Sequence, residues 1–85
     1  MTKTITVRYC ASIREAMGTG EETWATAAPT VAALRQELAG RSAQAALALA
    51  EDQPVRLALN QTMCPPDAPI APGDEVAFFP PVTGG

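Results

Sequence analysis

The final strand of this chain has a fixed end. Val76-Ala77-Phe78-Phe79 is an apolar run with strand propensity, and Pro80 and Pro81 follow it at once. Two consecutive prolines remove two backbone donors and fix φ. Sheet pairing is therefore expected to stop at Phe79, and the chain to leave in an extended, polyproline-like direction. The stretch Pro80-Pro81-Val82-Thr83-Gly84-Gly85 reaches roughly 20 Å at about 3.3–3.6 Å per residue. A thin projection ending in two residues without side chains suits a C-terminal carboxylate that must enter another protein's active site. The expected organisation is a folded domain over residues 1–79 and a flexible diglycine tail over residues 80–85.

What the chain lacks narrows the chemistry. It has no histidine, which removes imidazole general-base catalysis and most zinc sites, and no metal-ligand set is expected. Cys10 and Cys64 are far apart with no CxxC spacing, so they read as two small, partly buried hydrophobes rather than a disulfide. Gly18 and Gly20 are not followed by the third glycine or the Lys-Ser/Thr of the nucleotide-binding loops. Six basic against nine acidic residues give a net charge of −3, with the arginines scattered singly, which argues against a nucleic-acid partner. No apolar run approaches a membrane span, and Met1-Thr2-Lys3-Thr4 leads into a strand pattern rather than a secretory signal. A cytoplasmic protein without a membrane partner is the expectation. If it takes part in a reaction, the catalytic machinery is expected elsewhere.

Along the chain, Thr4–Tyr9 alternates with Ile5, Val7 and Tyr9 on one face. Ser12-Ile13-Arg14-Glu15 has the form of a capping box, and Gly18 is placed to end a short helix with Ile13, Ala16 and Met17 inward. Glu21–Thr26 reads as an edge strand carrying Trp24. Thr30 is the natural N-cap of the best helix, in which Val31, Leu34 and Leu38 share a face, Glu37 and Arg41 form an i,i+4 ion pair, and Gly40 stops the run. Ser42 can cap another helix reaching Ala50, with Ala43, Ala46, Leu47 and Ala50 on one stripe. Val55–Asn60 alternates as a strand, Asn60-Gln61 favours a turn, Thr62-Met63-Cys64 allows a short strand, and Ala71-Pro72-Gly73-Asp74 is a Pro-Gly turn into the last strand, Glu75–Phe79. This order predicts an α+β roll. The helical crossover lets the last strand lie parallel to the first, in a mixed sheet with a helix packed across one face.

With Val7–Gly18, Thr30-Val31-Ala32-Ala33-Leu34-Arg35, Leu59-Asn60-Gln61 and the closing block Gly73–Gly85 in that order, the chain resembles the ubiquitin-like β-grasp sulfur carriers. Among them it is similar to the small subunits of molybdopterin synthase. The resemblance runs nearly end to end and is most specific in the closing block, whereas the alanine-rich second helix and Cys64-Pro65-Pro66 depart from it. It implies a β-grasp fold with a protruding C-terminal tail. It also implies a subunit that is not catalytic alone. Gly85 would be adenylated by a ubiquitin-activator-like enzyme using ATP, converted to a thiocarboxylate by a persulfide donor protein, and inserted into the large synthase subunit to give sulfur to a cyclic pyranopterin phosphate. Gly85 is then the covalent site and Gly84 gives access to it, because neither carries a Cβ to obstruct approach. Val82, Thr83, Pro80 and Pro81 would line the partner's tunnel, and Phe79 would face outward at its rim while Phe78 and Val76 point to the core. No cofactor is expected on this chain itself. Arg14 and Arg56 are given no role. The alternatives are a carrier for thiamine or another sulfur-containing metabolite, a protein modifier forming isopeptide bonds through Gly85, and an interaction module with an inert tail.

Overall fold

Alternation of apolar side chains produces the sheet, and the turns between strands set its register. The computed structural model describes residues 1–81, so Val82, Thr83, Gly84 and Gly85 lie outside the described residues. The elements are β1 (Lys3–Tyr9), α1 (Ala11–Met17), β2 (Glu21–Thr26), α2 (Val31–Ala39), α3 (Ala43–Leu49), β3 (Arg56–Leu59), β4 (Thr62–Met63) and β5 (Glu75–Phe79). The five strands lie in the order β2-β1-β5-β3-β4. β5 is parallel to β1 and antiparallel to β3, so the strand that carries the tail is the middle one, paired on both sides. This is the α+β roll expected from the sequence, with a mixed sheet and its helices on one face.

Ile5, Val7 and Tyr9 from β1, Val76 and Phe78 from β5, and Leu57 from β3 meet Val31, Leu34 and Leu38 of α2 in a single core cluster. Phe78 and Tyr9 stack with ring centroids 6.3 Å apart. At 0% exposure Val31, Leu34 and Leu38 mark the α2 face on which the sheet closes. α2 begins where Thr30 accepts a hydrogen bond from the Ala33 amide through Oγ1 at 3.2 Å, as its N-cap position requires.

The parallel register of β1 and β5 is fastened at the Pro72-Gly73 turn. The Asp74 amide donates back to Ala71 O at 3.1 Å, the Gly73 amide donates to Thr4 O at 2.8 Å, and the Thr6 amide donates to Asp74 O at 2.9 Å. Gly73 has φ +84, and a Cβ there would meet nothing within 4 Å. Substitution is thus opposed by the backbone alone. We expect Gly73→Ala to lower stability by about 1–2 kcal/mol in urea titration. A variant as stable as the parent would contradict the left-handed conformation. Asn60 and Gln61, at φ 51 and 67, make the two-residue hairpin between β3 and β4.

Four local expectations are corrected. Ser12 does not cap α1. The N-cap is Cys10, with no side-chain bond, and the helix starts at Ala11, whose φ is +50. Tyr9 and Cys10 are still held by sheet-type bonds to Gly20 O and Phe78 O, and the chain turns into the helix immediately afterward, which leaves Ser12 and Glu15 inside it. Glu37 does not pair with Arg41. Its carboxylate accepts from Trp24 Nε1 at 2.5 Å and from Thr26 Oγ1 at 3.0 Å. Arg41 instead stacks over the Trp24 ring at 4.4 Å and bonds Glu22 Oε2 at 2.6 Å, where the Tyr9 hydroxyl also donates at 2.6 Å. Burial and the Glu22 carboxylate push the Tyr9 phenol above its ordinary value. Ser42 does cap α3, accepting from Ala45 N at 3.0 Å, but the buried positions are Ala45 and Leu49, whereas Leu47 is 75% exposed. Finally Cys10 is exposed, while Cys64 is half-buried and its thiol is raised by that burial; both are free.

Candidate functional site

The site is built around the end of β5. Phe78 is fully buried, so its neighbour Phe79 points to the opposite, helix-free face of the sheet, where it is half-buried. This is the outward placement expected for it. Phe79 lies opposite Arg56 on β3. Pairing stops there, as the missing donor of Pro80 dictates. Because β5 is clasped by β1 and β3, the direction in which the chain leaves the domain is set by two ladders rather than by a loose end.

Pro80 and Pro81 do not stand clear of the domain. Both are half-buried in a groove of about 320 Å³ that they share with Ile13 and Ala16 of α1, Ala48 of α3, and Val55. The base of the tail, Pro80 and Pro81, is therefore seated against two helices. The other expected site residues, Val82, Thr83, Gly84 and Gly85, lie outside the described residues.

The helix-free face carries a feature that the sequence reading missed. In register, Arg8 pairs with Ala77, Ala77 with Ala58, and Ala58 with Met63. Met63 is 51% exposed and ends an apolar row on this face in which Ala58 is buried and Ala77 and Phe79 are half-buried. Arg8, paired to Glu21 at 3.7 Å and Glu75 at 3.9 Å, borders the row with charge. The signal was present in the alternation. If Leu57 points to the helices, Ala58 and its hairpin partner Met63 must point to the opposite face, where Ala58 is buried and Met63 is open.

Among the described residues no group of three or more His, Cys, Asp or Glu side chains is placed to hold a metal, and no helix is long and apolar enough to cross a membrane. Arg14 and Arg56 are exposed. What the described residues supply is a rigid, doubly paired strand that ends at Phe79 and leads into Pro80 and Pro81.

Comparison with known proteins agrees with this geometry. The model of the ThiS family matches residues 7–85. The chain is 52% identical over 81 residues to the molybdopterin synthase sulfur carrier subunit of Escherichia coli (strain K12), covering 95% of this chain and 99% of that one. The solution structure of the Haloferax volcanii HVO 2177 protein superposes with a TM-score of 0.82 at 28% identity, over 99% of this chain and 88% of the other. The complex of subunits 1 and 2 of molybdopterin-converting factor from Helicobacter pylori 26695 contains a chain matched with a TM-score of 0.62 at 26% identity, over 96% of this chain and 99% of that one. A family match from within β1 to the last residue, joined to more than half identity across nearly the whole chain, makes this protein a member of the ThiS family.

Proposed function

We propose that this chain is the sulfur carrier subunit of molybdopterin synthase. It works in the cytoplasm with a large subunit that accepts its tail and, before that, with an adenylating enzyme related to ubiquitin activators and a persulfide donor. The single observation that carries this function, in a chain of this family, is that the doubly paired middle strand leads directly into Pro80 and Pro81 beside an apolar row ending in the exposed Met63. A carboxylate is a poor electrophile, so the Gly85 carboxylate first attacks the α-phosphate of ATP in the activating enzyme, releasing pyrophosphate. The outer sulfur of the donor persulfide then displaces AMP to give an acyl disulfide. A second thiol attacks the donor-side sulfur of that disulfide, releasing the thiocarboxylate and leaving the two thiols oxidised as a disulfide. In the large subunit the thiocarboxylate sulfur is passed to the pyranopterin. Gly84 leaves the approach open, Pro80, Pro81, Val82 and Thr83 line the tunnel, and Phe79 sits at its rim. No cofactor is held by this chain.

Reconstitution tests the proposal. The thiocarboxylated chain with the large subunit is expected to convert cyclic pyranopterin monophosphate to molybdopterin. Transfer to a thiazole precursor with none to the pyranopterin would replace this pathway with the thiamine one, and lysine-linked conjugates would replace it with protein modification. Within the same system, Met63→Asp is expected to weaken assembly with the large subunit about tenfold, the effect of an interface side chain worth ~1.4 kcal/mol. Its unfolding temperature should stay that of the parent, because Met63 is at the surface. Unchanged affinity would remove the row from the interface.

A further inference from the structure

Resting on the carrier function proposed above, we infer that Arg35 is a positioning residue for the tail: it clamps the end of α3 so that the segment leading into β3 forms a fixed wall for Pro80 and Pro81. α3 ends without a glycine. Its C-cap, Ala50, leaves the helix with φ −54 and ψ 146, so the turn supplies no left-handed residue to close the last carbonyls. Arg35, reaching across from α2, supplies donors instead. Nε donates to Leu49 O at 2.8 Å, and Nη2 donates to Ala50 O at 2.5 Å and to Gln53 O at 2.9 Å. The Gln53 amide closes the bend by donating to Ala50 O at 2.9 Å. One rigid guanidinium thus ties three carbonyls across the α3–β3 connection, with its charge at the helix's negative end.

That connection continues directly into the tail's seat. Gln53, Pro54 and Val55 line the groove that holds Pro80 and Pro81. Arg56 pairs with Phe79 in the antiparallel ladder, and carrying that register one residue further puts Val55 opposite Pro80. Asn60 bonds Glu75 across this ladder, so its hydrogen-bonded pairs continue through Arg56 and Phe79 and the next would be Pro54 with Pro81. Neither has an amide hydrogen, and no ladder bond can hold the two segments together beyond Phe79. Their alignment depends on the bend being held from the other side, which is where Arg35 acts. Arg35 consequently acts through Gln53, Pro54 and Val55 and governs the direction in which Pro80 and Pro81 leave the sheet.

The test compares Arg35→Met with Thr30→Ala, which loosens the other end of α2 and serves as a destabilised control. In NMR spectra of the wild-type chain, contacts between the Pro80 ring protons and the Val55 methyls are expected. They should be lost in Arg35→Met and kept in Thr30→Ala. In adenylation by the activating enzyme, Arg35→Met should raise KM on the order of five- to tenfold with kcat unchanged, since an unseated tail must be ordered at each encounter. Arg35→Lys, which keeps the charge but not the fork, should recover only part of this. Persistence of the Pro80–Val55 contacts in Arg35→Met, or an equal KM for Arg35→Met and Thr30→Ala, overturns the inference. Failure of the wild-type chain to be adenylated counts against the carrier function instead, and the NMR comparison then decides the role of Arg35 alone.

Discussion

Deleting Gly85, or adding one residue after it, is expected to abolish sulfur transfer and to leave the unfolding temperature of the domain where it was. The first half follows from the chemistry. An acyl adenylate forms only at a terminal carboxylate. In-line attack on a phosphate is set by placement to within about an ångström, so a terminus shifted by one residue, roughly 3.3–3.6 Å, misses the reacting position entirely. The second half follows from the packing. Among the described residues every buried member of the hydrophobic cluster lies at or before Phe78, so shortening or lengthening the chain beyond Pro81 removes none of them. Activity and thermal unfolding measured on the same preparations check both halves. Retained transfer by the shortened chain would show that another group carries the sulfur, and a large fall in unfolding temperature would show that the tail belongs to the fold.

Leu34→Ala has the opposite profile. Leu34 is fully buried between Val31 and Leu38 on the α2 face that closes the core. Truncating a leucine at such a site removes transfer energy and leaves a cavity, at a cost of about 2–5 kcal/mol. Small domains have roughly 5–15 kcal/mol in total, and a chain of 85 residues buries too little surface to sit at the upper end of that range. The variant is expected to unfold at a markedly lower urea concentration with an unchanged m-value. Leu47→Ala, on a side chain 75% exposed, should move stability by less than about 0.5 kcal/mol. A loss below 1 kcal/mol for Leu34→Ala, on the ~2–5 kcal/mol scale of core truncations, would contradict the assignment of α2 as the closing helix.

These two leucines also show where the sequence could be read and where it could not. In α2 the large apolar residues stand out against Arg35, Gln36 and Glu37, so the buried face is unambiguous and the Thr30 cap marks its start. α3 reads AQAALAL, and so many alanines leave little contrast to define a face. Helical spacing groups Leu47 with Ala43, Ala46 and Ala50, yet packing against α1 and α2 turns Ala45 and Leu49 inward instead. The strands and the Pro72-Gly73 turn were legible because period-two alternation and a left-handed glycine are local properties. The misread pairings all involve distant partners. Glu37 and Arg41 are well spaced for one another, but Trp24 and Glu22, brought in by the β2 edge, offer closer contacts. The Ser12–Glu15 box failed because sheet bonds hold the chain as far as Cys10. The role of Arg35 could not be read at all, since it depends on where α3 ends and on which helix lies beside it.

For the tail, the residue types carried the expectation and the fold gives it a reason. Phe79 faces out because Phe78 faces in, and Pro80 ends a ladder that two neighbouring strands would otherwise extend. The surface that accompanies the tail was hidden only because Met63 sits in a strand of two residues, too short to announce a face until its pairing with Ala58 is known.

The most direct test of sulfur carriage is the intact mass of the chain after incubation with its activating enzyme, ATP and a persulfide donor, with the modified residue located by fragmentation. Exchange of one oxygen for one sulfur at Gly85 is the expected result. Sulfur added at Cys10 or Cys64 with Gly85 unaltered, or no change of mass in the presence of an active enzyme, would contradict it.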